Sequence, residues 1–593
     1  MADTYVPPLR DIRFVLERIV DVEQIAKLPG FGHADLETIM GILEEYGRFV
    51  AEVLAPLNRV GDDQGSRLDP ETGEVTTPPG WIEAYNKYVE AGWGSVPFPA
   101  EHGGGGFPWL TAMAMQELLT AANMAFSLCP LLTQGAIDML GYHGSEEQQE
   151  VYLRPMVAGT WAGTMNLTEP QAGSDVGALT TKAVPADDGS WRITGQKIFI
   201  TYGEQDLTEQ IVHLVLARVP DAPPGTKGIS CFIVPKFLVK DDGSLGERNA
   251  VKCLFIEHKM GIHASPTCVM EYDGAVGYLI GEANAGMRYM FTMMNTARLS
   301  VGLEGLSLGE RAYQAALSYA LERTQGRALG AGPGTSSPII EHADVRRMLV
   351  HMRSHLEAMR MLGYANAAAI DLSKHHPDDD VRRRFDEVAD LLTPITKAWC
   401  TDLGSELTRL ATQVHGGMGY IEETGVAQHE RDIRIAAIYE GTNGIQAMDL
   451  VGRKLPLRGG GVVADQIAEI DTTVALLDGE LAPLGERLAD AVAALREATD
   501  WLMANGLQDP QNALAGATPY LRLFATTLGG WFHARQALAA RDGAADDPFL
   551  AAKLATSRYF IEQVLPQARG LVPAVTAGPR DLYAIDPAQL LGA

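Results

Sequence analysis

Three stretches of this chain gather residue types able to act on a small molecule. In IAAIYEGTNG, Glu440 stands between an apolar run and a turn. A carboxylate emerging from a buried segment has its pKa raised toward the range of a general base. The same placement also suits a capping or salt-bridging glutamate. Upstream, QVHGGMGY places Gly416, Gly417 and Gly419 where main chain can approach a ligand closely. In TEPQAGSDVGALTTKA, Thr168, Ser174 and Asp175 set hydroxyl and carboxylate groups around a turn that Pro170 and Gly173 permit. Such a turn exposes several N–H groups, which suits a polar ring system or a phosphate; an ordinary helix-to-strand connection looks the same. In KIFITYGE, Phe199 and Thr201 alternate onto one face of a strand. That pair either covers a flat heterocycle or buries Phe199 in the core.

Other chemistries find no pattern. There is no G-x-G-x-x-G between strand and helix, no G-x-x-x-x-G-K-[ST] and no H-E-x-x-H. The run HGGGGFP, His102 to Pro108, follows no strand and reads as a flexible loop. Asn166-Leu167-Thr168 reads as a chance glycosylation sequon, since the charged N-terminal stretch leads us to expect no secretory leader. Cys129, Cys231, Cys253, Cys268 and Cys400 are dispersed without a C-x-x-C pair, the pattern of reduced thiols in a cytoplasmic protein rather than of a disulfide or metal framework. No metal site is expected. The net charge of −27 repels phosphate backbones and anionic lipid, so neither nucleic acid nor a membrane surface is an expected partner. No run of about twenty apolar residues is present to span a bilayer.

The elements that must position these residues divide the 593-residue chain into four parts. Residues 1–160 carry helix periodicity, as where Asp35 caps a segment with Leu36, Ile39, Met40 and Leu43 at helix spacing. A polar loop from Arg59 to Gly80 interrupts it. Residues 161–285 hold short β-rich runs such as WRITGQKIFIT, IVHLVLARV and GISCFIV, which suggest a small antiparallel barrel or sandwich. Helix signals return over 286–452, and an Ala- and Leu-rich helical extension fills 453–593 after the linker PLRGGGV. Its apolar positions Ile467, Leu476, Leu477, Leu488, Val492 and Leu495 predict a buried stripe.

Taken in order, TEPQAGSD, KIFIT, NTAR, LERTQGRAL, QVHGGMGY and IYEGTNGIQ resemble the acyl-CoA dehydrogenase family over roughly residues 30 to 455. The resemblance implies an α+β multi-domain fold: an N-terminal helical domain, a middle β-barrel, a C-terminal four-helix bundle and here a helical C-terminal extension. It implies FAD as cofactor, an acyl-CoA substrate and, as electron acceptor, an electron-transfer flavoprotein. Family members remove the pro-R α-proton of the thioester with a carboxylate and pass the β-hydrogen as hydride to flavin N5, giving a trans-2-enoyl-CoA. Two hydrogen bonds, from the main chain of that carboxylate residue and from the flavin ribityl chain, stabilise the thioester oxygen as charge develops.

The Y-E-G-T motif makes Glu440 the implied base. The alternative position, before the arginine of N-T-A-R, is Ala297, which cannot take a proton. Leu167, Thr168, Ser174, Phe199 and Thr201 match flavin contacts, with Met165 where many members have Tyr and Phe199 where many have Trp. Arg323, Gln325 and His342 match positions serving the flavin of a neighbouring subunit, which implies a homodimer or homotetramer. Gln413, Gly417, Thr442 and Asn443 match further cofactor contacts, although Gly444 stands where others have Gln or Glu. Ser174 and Arg298 match the substrate side. Long-form relatives, including 3-methylthiopropionyl-CoA dehydrogenases, carry comparable tails, so that thioester or a fatty acyl-CoA is the implied substrate. Two rivals share the fold: an acyl-CoA oxidase, which uses O2, and a DNA-binding flavoprotein of the alkylation response. Sixteen acidic against nine basic residues from Gly460 onward oppose the second.

Overall fold

The computed structural model describes residues 5–591 apart from positions 333, 335 and 507. The chain forms two units, one of residues 42–300 with the residues before Pro8, the other of Pro8–Gly41 with the chain from Val301 onward.

In the first unit, helices Trp109–Ala122 and Met124–His143 are apolar nearly all round and correspondingly buried. Asn123 separates them; its extended backbone breaks the first, and its Oδ1 caps the second by accepting from Phe126 N at 3.0 Å. The polar loop is more ordered than its composition suggests. Helix Ala55–Gln64 runs into it and a two-residue ladder pairs Arg67–Leu68 with Val75–Thr76. The glycine run is not flexible either. Gly105 N bonds Ser95 O, Phe107 N bonds Val96 O, and a Cβ on Gly104 would lie 2.0 Å from Phe98 O. These glycines serve tight packing.

Seven strands form the sheet of this unit: β1 (Trp161–Asn166), β2 (Lys182–Pro185), β3 (Trp191–Thr201), β4 (Gln210–Ala217), β5 (Ser230–Pro235), β6 (Val251–Ile256) and β7 (Thr267–Leu279). The order is β1-β4-β5-β7-β3-β2, with β6 also on β7. β4 and β5 are buried at every position and read as unbroken apolar runs. A bridge between Lys182 and Arg218 returns β2 to the end of β4, closing a ring around Ile193, Ile200, Val215, Phe232 and Met270. The sheet is mixed rather than wholly antiparallel, because β1 runs parallel to β4.

The second unit is helical. α1 (Gly286–Glu322) enters it at Val301, followed by α2 (Ala343–His375), α3 (Asp379–His415) and the short α4 (Asn443–Asp449). Asp378 caps α3 by accepting from Asp380 N and Val381 N. α1 and α3 cross at two glycines: a Cβ on Gly305 would meet Cys400 O at 2.0 Å, and one on Gly404 would meet Gly305 Cα at 2.6 Å. This close crossing brings Glu304 of α1 and Lys397 of α3 near one another. The extension adds Gly461–Leu476, Ala482–Asn505, α5 (Pro510–Arg541), Pro548–Tyr559 and Gln567–Thr576. The expected stripe is buried at Ile467, Leu477, Leu488, Val492 and Leu495, whereas Leu476, at the helix end, is 59% exposed. No helix among the described residues is long and apolar enough to cross a membrane. All five cysteines are free and buried.

Candidate active site

The loop from Tyr439 to Asn443 leaves a single helical turn, Arg434–Ala437, and ends where Thr442 caps α4 by accepting from Ile445 N at 3.2 Å. Within it Glu440 has φ +55° and Gly441 φ +82°. The left-handed region is ordinary for glycine and costly for glutamate, so neighbours must hold this main chain. Lys397, buried on α3, donates to Gly441 O at 2.8 Å and Asn443 Oδ1 at 2.9 Å. Gln446 Nε2 donates to the carbonyls of Glu440 and Gly441 at 3.2 Å each. Asn443 Nδ2 donates to Asp402 Oδ1 at 2.7 Å. Thr442 and Asn443, matched above to cofactor contacts, thus have side chains that brace the loop itself.

Glu440 is half-buried. Burial drives the Glu304 carboxyl upward, to about 8, with the Tyr439 hydroxyl and Lys397 opposing the shift and Glu440 adding to it. Both Glu304 oxygens contact Tyr439 Oη, at 2.5 and 2.6 Å. The residue was visible in the sequence as the only charge between Arg298 and Glu310. Its partner was not, because Tyr439 lies on a distant loop.

In the sheet unit the two motifs meet. Ile198 N donates to Thr168 O at 2.9 Å, and Lys197, buried on β3, donates to Leu167 O at 3.0 Å and Glu169 Oε1 at 2.8 Å. Burial penalises the Glu169 charge, but Lys197 and the bonds from Thr180 and Thr181 outweigh it and hold the carboxyl at about 2. Burial lowers Lys197 to about 8. The strand does not alternate through Phe199. Cys268 faces Ile200 while Met270 faces Lys197, so β3 carries one extra residue there. The bulge gives Phe199 φ +60° and leaves it 58% exposed, which excludes the core-packing alternative. Leu167 is buried, Thr168 and Thr201 are half-buried and Ser174 is exposed. Among the described residues, the hydroxyls of Thr168, Ser174 and Thr201 make no hydrogen bond within the chain. A free aromatic plane beside open hydroxyls fits a flavin.

Arg323, Gln325 and His342 come together on the second unit. Arg323 Nη2 donates to Gln325 Oε1 at 3.2 Å, His342 Nε2 lies 2.8 Å from Gln325 O, and Arg323 and Gln325 are exposed. Gln413 and Gly417 are exposed at the end of α3. The close approach expected at Gly419 is to the chain itself, since a Cβ there would lie 2.3 Å from Thr412 O. Arg298, expected on the substrate side, is 6% exposed, with its guanidinium 6.0 Å from the centre of the Phe291 ring.

Family models cover almost all of the chain: the acyl-CoA dehydrogenase N-terminal domain at residues 38–160, middle domain at 164–275 and C-terminal domain at 284–455. An acetyl-CoA dehydrogenase C-terminal-like domain matches 466–586. The chain is 48% identical to the 3-methylmercaptopropionyl-CoA dehydrogenase of Ruegeria pomeroyi over 95% of its own length and 96% of that protein. The Caenorhabditis elegans ACDH-11 structure in complex with C11-CoA shares the fold, with TM-score 0.78, 19% identity and coverage of 95% of this chain and 92% of that one. So does the FAD complex of a Bacillus anthracis acyl-CoA dehydrogenase, with TM-score 0.72, 20% identity and coverage of 94% and 90%. The chain belongs to the acyl-CoA dehydrogenase family, the FAD-dependent oxidoreductases that dehydrogenate acyl-CoA thioesters.

Proposed function

We propose that within this acyl-CoA dehydrogenase Glu440 is the base that removes the α-proton of the thioester. The supporting observation is its strained main chain, held by Lys397 from α3 and Gln446 from α4 so that a half-buried carboxylate is presented from a fixed loop. A base fixed in this way takes the proton without a search for geometry. FAD, when bound, supplies the acceptor for the β-hydrogen. Phe199 is the residue to lie against the flavin ring, and Thr168, Ser174 and Thr201 are its hydrogen-bonding neighbours, with Leu167 beneath. Arg323, Gln325 and His342 serve the cofactor of a second copy in a homodimer or homotetramer; a guanidinium fork suits pyrophosphate oxygens. Gln413 and Gly417 complete that surface. Thr442 and Asn443 act on the cofactor side through the loop they brace, and Arg298 acts through its buried charge on the substrate side.

The substrate we infer is a short acyl-CoA of the 3-methylthiopropionyl type, supported by the near full-length likeness to the Ruegeria pomeroyi enzyme. An electron-transfer flavoprotein is the inferred acceptor and the cytoplasm the inferred location. Domain limits at 160, 285 and 452 are read in the same way. The test is anaerobic titration of the purified yellow protein with a panel of acyl-CoA thioesters, following flavin bleaching. Bleaching by 3-methylthiopropionyl-CoA at lower concentration than by long-chain thioesters is expected; the reverse order overturns the substrate reading.

A further inference from the structure

We propose that Glu304 is a positioning residue for α-proton abstraction: it anchors the Tyr439 hydroxyl and so holds the adjacent Glu440 main chain in its left-handed conformation. This rests on Glu440 being the base.

Glu304 lies fully buried on α1, next to Gly305, where α1 and α3 cross at Gly305 and Gly404. It is not a second base. It has no exposed surface, and both its oxygens are taken by the Tyr439 hydroxyl at 2.5 and 2.6 Å. A neutral carboxyl accepts the phenol O–H at one oxygen and donates its own O–H from the other, which accounts for two short contacts to one atom. Burial opposes the charge and Glu440 adds to that opposition, while the Tyr439 hydroxyl and Lys397, the cation facing it from α3, favour it; the balance raises the carboxyl to about 8.

Tyr439 then stands between two fixed points. Its hydroxyl is tied to α1, and the carbonyls of the two residues after it are tied to α3 and α4. A residue of positive φ between such anchors keeps its conformation only while both hold. Releasing the hydroxyl lets Glu440 relax toward ordinary φ and moves its carboxylate off the α-carbon. Geometry lost in this way lowers the rate of proton transfer, not the affinity for the thioester.

The experiment compares full-length, FAD-loaded Glu304→Ala, Glu304→Gln, Tyr439→Phe and the Glu304→Ala/Tyr439→Phe double variant. Anaerobic flavin reduction is measured with 3-methylthiopropionyl-CoA and butyryl-CoA, together with thioester affinity. Thermal melting of the flavin-free proteins supplies a readout independent of turnover. We expect the Ala and Phe variants to reduce their flavin about tenfold more slowly, the loss of one hydrogen bond's worth of positioning. Affinity should stay within about twofold. Gln, which accepts and donates like a neutral carboxyl, should restore most of the rate. The double variant should be no slower than either single one, and its melting loss should be less than additive. A wild-type reduction rate in Glu304→Ala overturns the proposal, as does a Gln variant no faster than Ala. Should Glu304→Ala not fold, a wild-type rate in Tyr439→Phe overturns it alone. Glu440→Gln separates the two readings: a wild-type rate there removes the base itself, whereas a slow Glu440→Gln beside a normal Tyr439→Phe removes only the positioning role.

Discussion

At the residue scale, a glutamate at φ +55° carries about 1–3 kcal/mol of backbone strain that its surroundings must offset. Glu440→Gln retains the size, the strain and the bonds from Lys397 and Gln446 to the neighbouring carbonyls, and removes only the ability to take a proton. The variant should be yellow and folded, with flavin reduction slowed about 10²–10⁴-fold, equivalent to about 3–5 kcal/mol of barrier. Normal reduction with lowered thermal stability would instead mark Glu440 as a structural salt-bridge partner. Arg323 offers a second test. Its guanidinium is exposed and donates to the neighbouring Gln325, so replacing it with Ala should leave the fold intact. FAD retention should fall, because pyrophosphate charge loses its partner. A wild-type ratio of flavin to protein absorbance would count against the cofactor role.

The β3 bulge is the device that matters at the element scale. An aromatic residue at positive φ is uncommon, and here it places Phe199 outside the ladder with its ring uncovered. Phe199→Gly relieves the backbone strain and adds chain entropy to the unfolded state, two effects of about 1 kcal/mol that oppose each other. Thermal stability should therefore change little while FAD retention drops. A variant that melts early yet keeps its flavin would show that the ring packs and does not bind. Beneath the bulge, the Glu169–Lys197 pair pins the TEP turn to β3. Breaking a buried pair from one side strands a charge, so Glu169→Gln should cost about 3–5 kcal/mol and loosen flavin binding through the displaced turn. Unchanged melting would sink that account.

At the scale of the second unit, the extension is keyed in by charge as well as by its apolar stripe. Lys553, from helix Pro548–Tyr559, donates to Asp11 at 2.6 Å and Glu357 at 3.0 Å, while Arg353 bonds both acids from α2. Thr556 and Gln536 complete the shell around Glu357 at 2.5 and 2.8 Å. Burial opposes the Glu357 charge, yet Lys553 and Arg353 hold it at about 2; Asp11 is held well below its usual range by the same two cations. Lys553→Met removes one of the cations that hold the two acids and should cost about 3–5 kcal/mol. A chain ending after Arg453 loses both the key and the stripe and should aggregate; a soluble, fully active truncated enzyme would refute this. Burial also keeps His533 neutral, at about 4, and His355 neutral, at about 3, with His351 beside it. Groups with depressed folded pKa values contribute stability above their unfolded values and lose it as pH falls through the folded ones. The melting temperature should therefore decline as pH drops from 6.5 toward 4, and further toward 2 as Glu357 and Glu169 protonate. A flat profile between pH 6.5 and 4 would contradict the neutral histidines.

How much of this was legible depends on whether a property is local. Helix and strand periods, the Asp35 cap and the order of the motifs are set by residues within a few positions of one another, so the sequence alone determined the succession of helical, β and helical parts and the family. It also determined the charge balance and the tail's buried stripe, apart from Leu476, which fits the helix period but sits at a helix end. What the tertiary structure decided are pairings between residues far apart in the chain. The glycine run looked flexible because its partners, Ser95, Val96 and Phe98, bond it only once the chain folds back. Spacing alone left core packing open for Phe199 because alternation assumes an unbroken ladder, and the extra residue that breaks it is defined only against β7. The raised pKa of Glu304 was not legible in the sequence either. Burial depends on where α1 and α3 cross, and that crossing is set by two glycines 99 positions apart that no local pattern connects.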